Sequence, residues 1–193
     1  MLEAKKQFSF QTVKQLLLRF TNLINIQDMA KVNLKGNPLN TNDDLPQVGE
    51  KAPNFNLKKT DLSNTQLSDF AGSNIILNIF PSIDTATCAA SVRQFNQRAA
   101  SLQNTKVLCV SRDLPFAQKR FCGAEGIENV DTASDFATGD FGKNYGLELI
   151  DGPLAALHAR AIVVIDSNGV VKYTELVPDI VDEPNYDAAI AAV

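Results

Sequence analysis

Ile75-Ile76-Leu77-Asn78-Ile79-Phe80-Pro81-Ser82-Ile83-Asp84-Thr85-Ala86-Thr87-Cys88-Ala89-Ala90-Ser91-Val92-Arg93-Gln94-Phe95-Asn96 joins an apolar run, a proline-containing corner and the start of a helical pattern. The near-continuous run Asn74–Phe80 is what a strand buried on both faces of a parallel sheet requires. From Cys88 onward, Ala89, Val92, Phe95, Ala99 and Leu102 recur at helical spacing, with Arg93, Gln94, Gln97 and Arg98 on the outer side. Val107-Leu108-Cys109-Val110-Ser111 then reads as a second buried strand. Strand, helix, strand over residues 74–111 implies a right-handed crossover and an α/β sheet.

Working outward, Pro115–Gly123 predicts a helix, with Pro115 at a tolerated first-turn position and Gly123 as its stop. Asp135–Tyr145 predicts a short helix ended by Gly146. Arg160–Asp166 is a third strong strand, Ser167-Asn168-Gly169 a tight turn, and Val170–Leu176 the returning antiparallel partner. A small alanine-rich helix over Asn185–Val193 closes the chain. Upstream, Val32–Leu39 alternates around a Gly36-Asn37 turn and reads as a hairpin. Asn54–Leu57 and Leu62–Leu67 suggest short strands, and Ser68-Asp69-Phe70 one helical turn closed by Gly72. Together these describe a thioredoxin-like α/β layout: a central mixed sheet flanked by helices, with an N-terminal β-hairpin.

Composition narrows the function classes. With 45% hydrophobic and 21% charged residues in 193, the chain reads as a globular protein with a sizeable core. A formal charge of -4 and the lack of a Lys/Arg cluster argue against nucleic acid as a partner. No apolar run approaches the roughly 20 residues of a membrane span. Three cysteines without a CxxC pair are not a disulfide scaffold, and with the single histidine His158 a Cys/His zinc site would need carboxylate ligands as well, which no ligand spacing supports. Residues 1–28 carry four cations against two acids, leaving -6 for residues 29–193. Their loose helical pattern leaves three readings open: an upstream start with Met29 as the usual first residue, an added helix, or an amphipathic targeting segment. No small-residue cleavage site marks them as a secretory signal, so the cytoplasm is the expected compartment. The domain expected to fold as a unit is 29–193.

Cys88 is the leading candidate nucleophile. Thr85 and Thr87 suit the cap of its helix, so the sulfur falls in or just before the first turn, where free N–H groups and the helix dipole favour a thiolate. The plain alternative is a buried small hydrophobe. Thr85 is positioned to hydrogen-bond the sulfur or an incoming oxygen, or simply to cap the helix. Pro81 stiffens and shields the corner, or only ends the strand. Cys109, inside a buried strand, is expected to be inert. Cys122 stands at the end of a short helix beside Gly123 and is expected to be accessible; an accessible second thiol can capture a sulfenic acid. Arg160 is either a surface arginine at a strand start or a guanidinium that steadies a thiolate and orients a peroxide.

Pro81-x-x-x-Thr85-x-x-Cys88 resembles the peroxiredoxin signature. Asn78–Thr85 and Asp113–Gly126 are similar to the bacterial thiol peroxidases, which are atypical two-cysteine peroxiredoxins, and Asp151–Leu154 and Ala159–Ala161 extend the likeness across residues 29–193. The resemblance implies that Cys88 is the peroxidatic cysteine and Cys122 the resolving one, the pair forming an intramolecular redox disulfide. It implies that Thr85, Arg160 and Pro81 complete the catalytic site, without metal or cofactor. The implied substrates are hydrogen peroxide and organic hydroperoxides, the implied reductant is thioredoxin, and the implied assembly a homodimer. A non-enzymatic redox sensor using the same cysteine pair is the alternative from another class. A disulfide reductase is weaker, because Thr85 occupies the first position of the CxxC it needs, and a purely structural domain is weaker still.

Overall fold

The computed structural model of the chain describes residues 31–193, so the readings of segment 1–28 lie outside the described residues. A two-stranded hairpin comes first, β1 (Lys31–Leu34) against β2 (Asn37–Asn40). Its turn is Lys35-Gly36 and not Gly36-Asn37: both turn residues have positive φ, 52° and 79°, which a two-residue hairpin turn matching the strand twist demands. There follow β3 (Asn56–Lys59), β4 (Asn64–Gln66), a 3-10 turn over Leu67–Phe70, β5 (Asn74–Ile79), α1 (Ala86–Ala99), β6 (Thr105–Ser111), α2 (Pro115–Glu125), β7 (Asp131–Ser134), α3 (Asp140–Asn144), β8 (Ala161–Ile165), β9 (Val171–Leu176) and α4 (Tyr186–Ala191).

Seven strands form one sheet in the order β4-β3-β7-β6-β5-β8-β9. β5, β6 and β7 run parallel, while β8 lies antiparallel to β5 and β3 antiparallel to β7, so the sheet is mixed as the sequence implied. Side-chain alternation divides the core between its faces. Ile75, Leu77 and Ile79 join Leu108, Val110, Val163 and Ile165 under the hairpin and α3. Ile76 and Phe80 join Val107, Cys109, Ile162 and Val164 under α1, α2 and α4. On that second face Phe95 of α1 is wholly buried and meets Tyr186 of α4 edge-on, ring centres 5.2 Å apart. Truncating Phe95 to alanine opens a cavity there, at a cost of about 3–5 kcal/mol.

Three elements differ from the sequence reading. α2 passes through Gly123 and stops at Gly126, whose φ of +62° supplies the left-handed cap. Helix α3 is shorter than Asp135–Tyr145, because the Asp135 carboxylate accepts from the backbone N–H of Phe141 and Gly142 and so turns residues 135–139 into an approach to the helix. Strand β7, with the sequence Asp-Thr-Ala-Ser, has no apolar run to announce it and owes its existence to pairing between β6 and β3.

Candidate active site

The corner between β5 and α1 delivers Cys88. β5 ends at Ile79, and Pro81, buried and without an N–H, follows just beyond it. The chain turns through Ser82–Asp84, Thr85 takes the N-cap position with extended backbone, and Cys88 is the third residue of α1. No acidic residue lies in the first turn. The sulfur therefore faces the positive end of a 14-residue helix from inside the core, at 0% exposure.

Neither threonine caps α1 with its side chain. Thr87 Oγ1 donates to the carbonyl of Val181 at 3.0 Å. Thr85 Oγ1 stands 2.8 Å from Cys88 Sγ and 3.1 Å from the Ser82 carbonyl, so its single proton is shared between the sulfur and the loop.

Arg160 is no surface arginine. It is 1% exposed, its Nε donates to the carbonyl of Ile180 at 2.9 Å, and its Nη2 lies 3.3 Å from Cys88 Sγ. Among the described residues no carboxylate pairs with it, and its buried Nη1 has no acceptor. A buried cation costs several kcal/mol unless an anion compensates it. The groups Arg160 meets directly are the Ile180 carbonyl and the Cys88 sulfur. The segment leading into Arg160 is itself pinned: His158 Nε2 meets the Asp135 carboxylate at 3.0 Å, with the imidazole fully buried. Burial pushes the pKa of His158 down, outweighing the neighbouring carboxylate, so the ring is neutral at pH 7 and donates to Asp135.

Cys109 and Cys122 stand in other surroundings. Cys109, in β6, is fully buried, and its polar neighbour is the Asn78 amide at 3.5 Å; burial pushes its thiol up to about 12. Cys122 lies inside α2 and not at its end, half-buried, with Thr132 Oγ1 at 3.9 Å. Burial raises its thiol as well, opposed by the Thr132 contact. Its helix flank opens on a groove of about 570 Å³ lined by Lys59, Lys119, Gly126, Asp131 and Thr132 among others. The structure thus gathers Thr85, Cys88 and Arg160 into one contact cluster, with Pro81 buried in the corner that leads to it. It leaves Cys88 and Cys122 as free thiols on neighbouring helices of the same sheet face.

Comparison with known proteins gives the family. The family model described as Redoxin matches residues 47–190. The chain belongs to the redoxin family. It is 58% identical over 165 residues to the thiol peroxidase of Mycobacterium tuberculosis, covering 86% of this chain and 99% of that one. The thiol peroxidase of Corynebacterium glutamicum is 53% identical over the same coverage. Among solved structures, a peroxiredoxin-like protein from Aquifex aeolicus superposes with a TM-score of 0.80 at 40% identity, covering 84% of this chain and 95% of that one. Among the described residues of this redoxin, no helix is long and apolar enough to cross a membrane.

Two residues at the redoxin site escaped sequence reasoning. The carbonyl of Ile180, which holds Arg160, comes from the stretch after β9, and no local pattern marks a backbone acceptor. Asp113, beyond the end of β6, takes hydrogen bonds from Ser82 Oγ at 2.7 Å and from the backbone N–H of Ile83 at 2.6 Å, gripping the corner that precedes Cys88. Its sequence signals are its place at the start of the family-like stretch Asp113–Gly126 and its position two residues ahead of the helix-starting Pro115, and neither points to a grip on the corner before Cys88.

Proposed function

We propose that the chain is a thiol-dependent peroxidase acting on hydrogen peroxide and organic hydroperoxides, with Cys88 as the peroxidatic and Cys122 as the resolving cysteine. The observation that carries the reading is the buried Arg160 guanidinium, with one nitrogen on the Cys88 sulfur and another without an acceptor. A peroxide oxygen approaching the sulfur supplies that missing acceptor. The kinship with two bacterial thiol peroxidases supports the same activity.

The Cys88 thiolate attacks the terminal peroxide oxygen; an S–O bond forms as the O–O bond breaks. Arg160 and Thr85 stabilise the charge that moves to the departing oxygen, which leaves as water or an alcohol after taking a proton. Cys88 is then a sulfenic acid. The Cys122 thiol attacks that sulfur, a disulfide forms and water leaves. Because Cys88 is wholly buried in the first turn of α1 and Cys122 sits within α2, this second step requires local unwinding of both helices. A thioredoxin-type dithiol protein restores the thiols by exchange. Pro81 keeps the corner stiff and dry.

The test is peroxide consumption coupled to thioredoxin and its reductase. Cys88→Ser abolishes turnover. Cys122→Ser consumes a single equivalent of peroxide and then stops; sustained thioredoxin-coupled turnover in that variant contradicts the assignment of Cys122.

A further inference from the structure

Three donors converge on the Asp113 carboxylate: Ser82 Oγ at 2.7 Å, Ile83 N–H at 2.6 Å and Ser111 Oγ at 2.7 Å. The carboxylate is anchored from behind. Ser111 receives the amide of the buried Gln118 at 3.1 Å, the same amide reaches the Ala133 carbonyl at 3.0 Å, and Ser134 Oγ donates to the Asp113 carbonyl at 2.5 Å. In front of it, the grip passes along the corner. The Ser82 carbonyl accepts from both the backbone N–H and the hydroxyl of Thr85, and that hydroxyl reaches Cys88 Sγ at 2.8 Å. One acid just beyond the end of β6 therefore fixes the residue whose carbonyl aims the Thr85 hydroxyl. In the peroxidase reading that hydroxyl also stabilises the charge on the departing oxygen, a contribution that an alkylating reagent does not use.

We infer that Asp113 is a positioning residue for peroxide reduction, holding the Ser82–Thr85 corner so that the Thr85 hydroxyl stays on the Cys88 sulfur. The inference rests on the peroxidase reading above. Misplacing a catalytic group by about 1 Å is enough to cost on the order of a hundredfold in rate. In Asp113→Asn an amide NH₂ replaces one acceptor oxygen and turns a donor toward a donor, which loosens the corner without emptying the site.

The experiment separates the two electrophiles. In the full-length Cys122→Ser chain, the rate at which Cys88 is oxidised by hydrogen peroxide and the rate at which iodoacetamide alkylates it are measured by quenched mass spectrometry, with and without Asp113→Asn. The expected result is a peroxide rate lowered roughly tenfold or more, with the alkylation rate within about twofold of the parent. Ser82→Ala, which removes the Oγ bond to Asp113 and the weaker one accepted from the Asp84 N–H, lowers the peroxide rate in the same selective way by roughly threefold, and it decides the matter if Asp113→Asn does not fold. A parallel fall of both rates, or no fall in the peroxide rate, makes Asp113 a purely structural residue and overturns the inference alone. A parent chain that does not react with peroxide takes down the peroxidase reading and this inference with it.

Discussion

Cys88 and Cys109 are equally buried, both at 0% exposure, and both pack on the helix-covered face of the same sheet. They differ in what points at the sulfur. Cys88 receives a guanidinium at 3.3 Å and a hydroxyl at 2.8 Å at the start of a helix. Cys109 sits mid-strand beside one neutral amide at 3.5 Å, and burial dominates over that amide, pushing its thiol up to about 12. Burial on its own makes a cysteine inert; donors converging on a buried sulfur favour its reactive form, which is the role proposed for Cys88.

Taking away the donors should erase the difference. Arg160→Met is expected to lower the rate of Cys88 oxidation by roughly a hundredfold or more, in stopped-flow or quenched assays of peroxide loss. Thermal stability should fall as well, because the substitution leaves the Ile180 carbonyl without its donor. A variant that keeps its rate would mean that the guanidinium is not part of the reacting frame.

Thr85→Val tests the second donor. The hydroxyl is shared with the Ser82 carbonyl, so its loss should cost less than that of Arg160, roughly tenfold in the same assay. An unchanged rate would reduce Thr85 to a loop residue.

Cys109→Ala works from the other side of the comparison. Peroxide turnover should be unaffected, and stability at pH 7 should fall by about 1 kcal/mol. The pH dependence is more telling. The folded thiol of Cys109 titrates near 12, above the ~8.5 of an unfolded cysteine. A raised folded value contributes stability that is fully present below about pH 8.5 and is lost as pH climbs through the folded value. Urea midpoints of the parent protein should therefore fall between about pH 8 and pH 10, and Cys109→Ala should flatten part of that fall. Cys122, whose thiol burial also raises, supplies decline of the same sign. An identical slope in the variant would contradict the assignment of Cys109 as a buried neutral thiol.

How much of this was legible in the chain follows from how local each determinant is. β5, α1 and β6 could be read because a strand buried on both faces must be apolar throughout, and a covering helix must show its 3.6-residue period. Cys88 and Thr85 were legible for the same reason, since the helix start fixes their relation within three residues. The burial of Arg160 was not. A guanidinium at a strand start is ordinarily solvated, and only Ile180, arriving twenty residues later, closes over it. Gly123 looked like a helix stop because glycine often is one; the actual stop is Gly126, where φ turns positive. β7 was invisible because four small and polar residues become a strand only when two neighbouring strands present free edges to them.

The most direct measurement is the mass map of protein treated with one equivalent of hydrogen peroxide, alkylated and digested without reduction. The account predicts a loss of two hydrogens, a crosslinked Cys88–Cys122 peptide, and Cys109 recovered as an intact thiol once the digest is unfolded. Oxidation shared between Cys88 and Cys109 would contradict the claim that converging donors, and not burial, select the reactive sulfur.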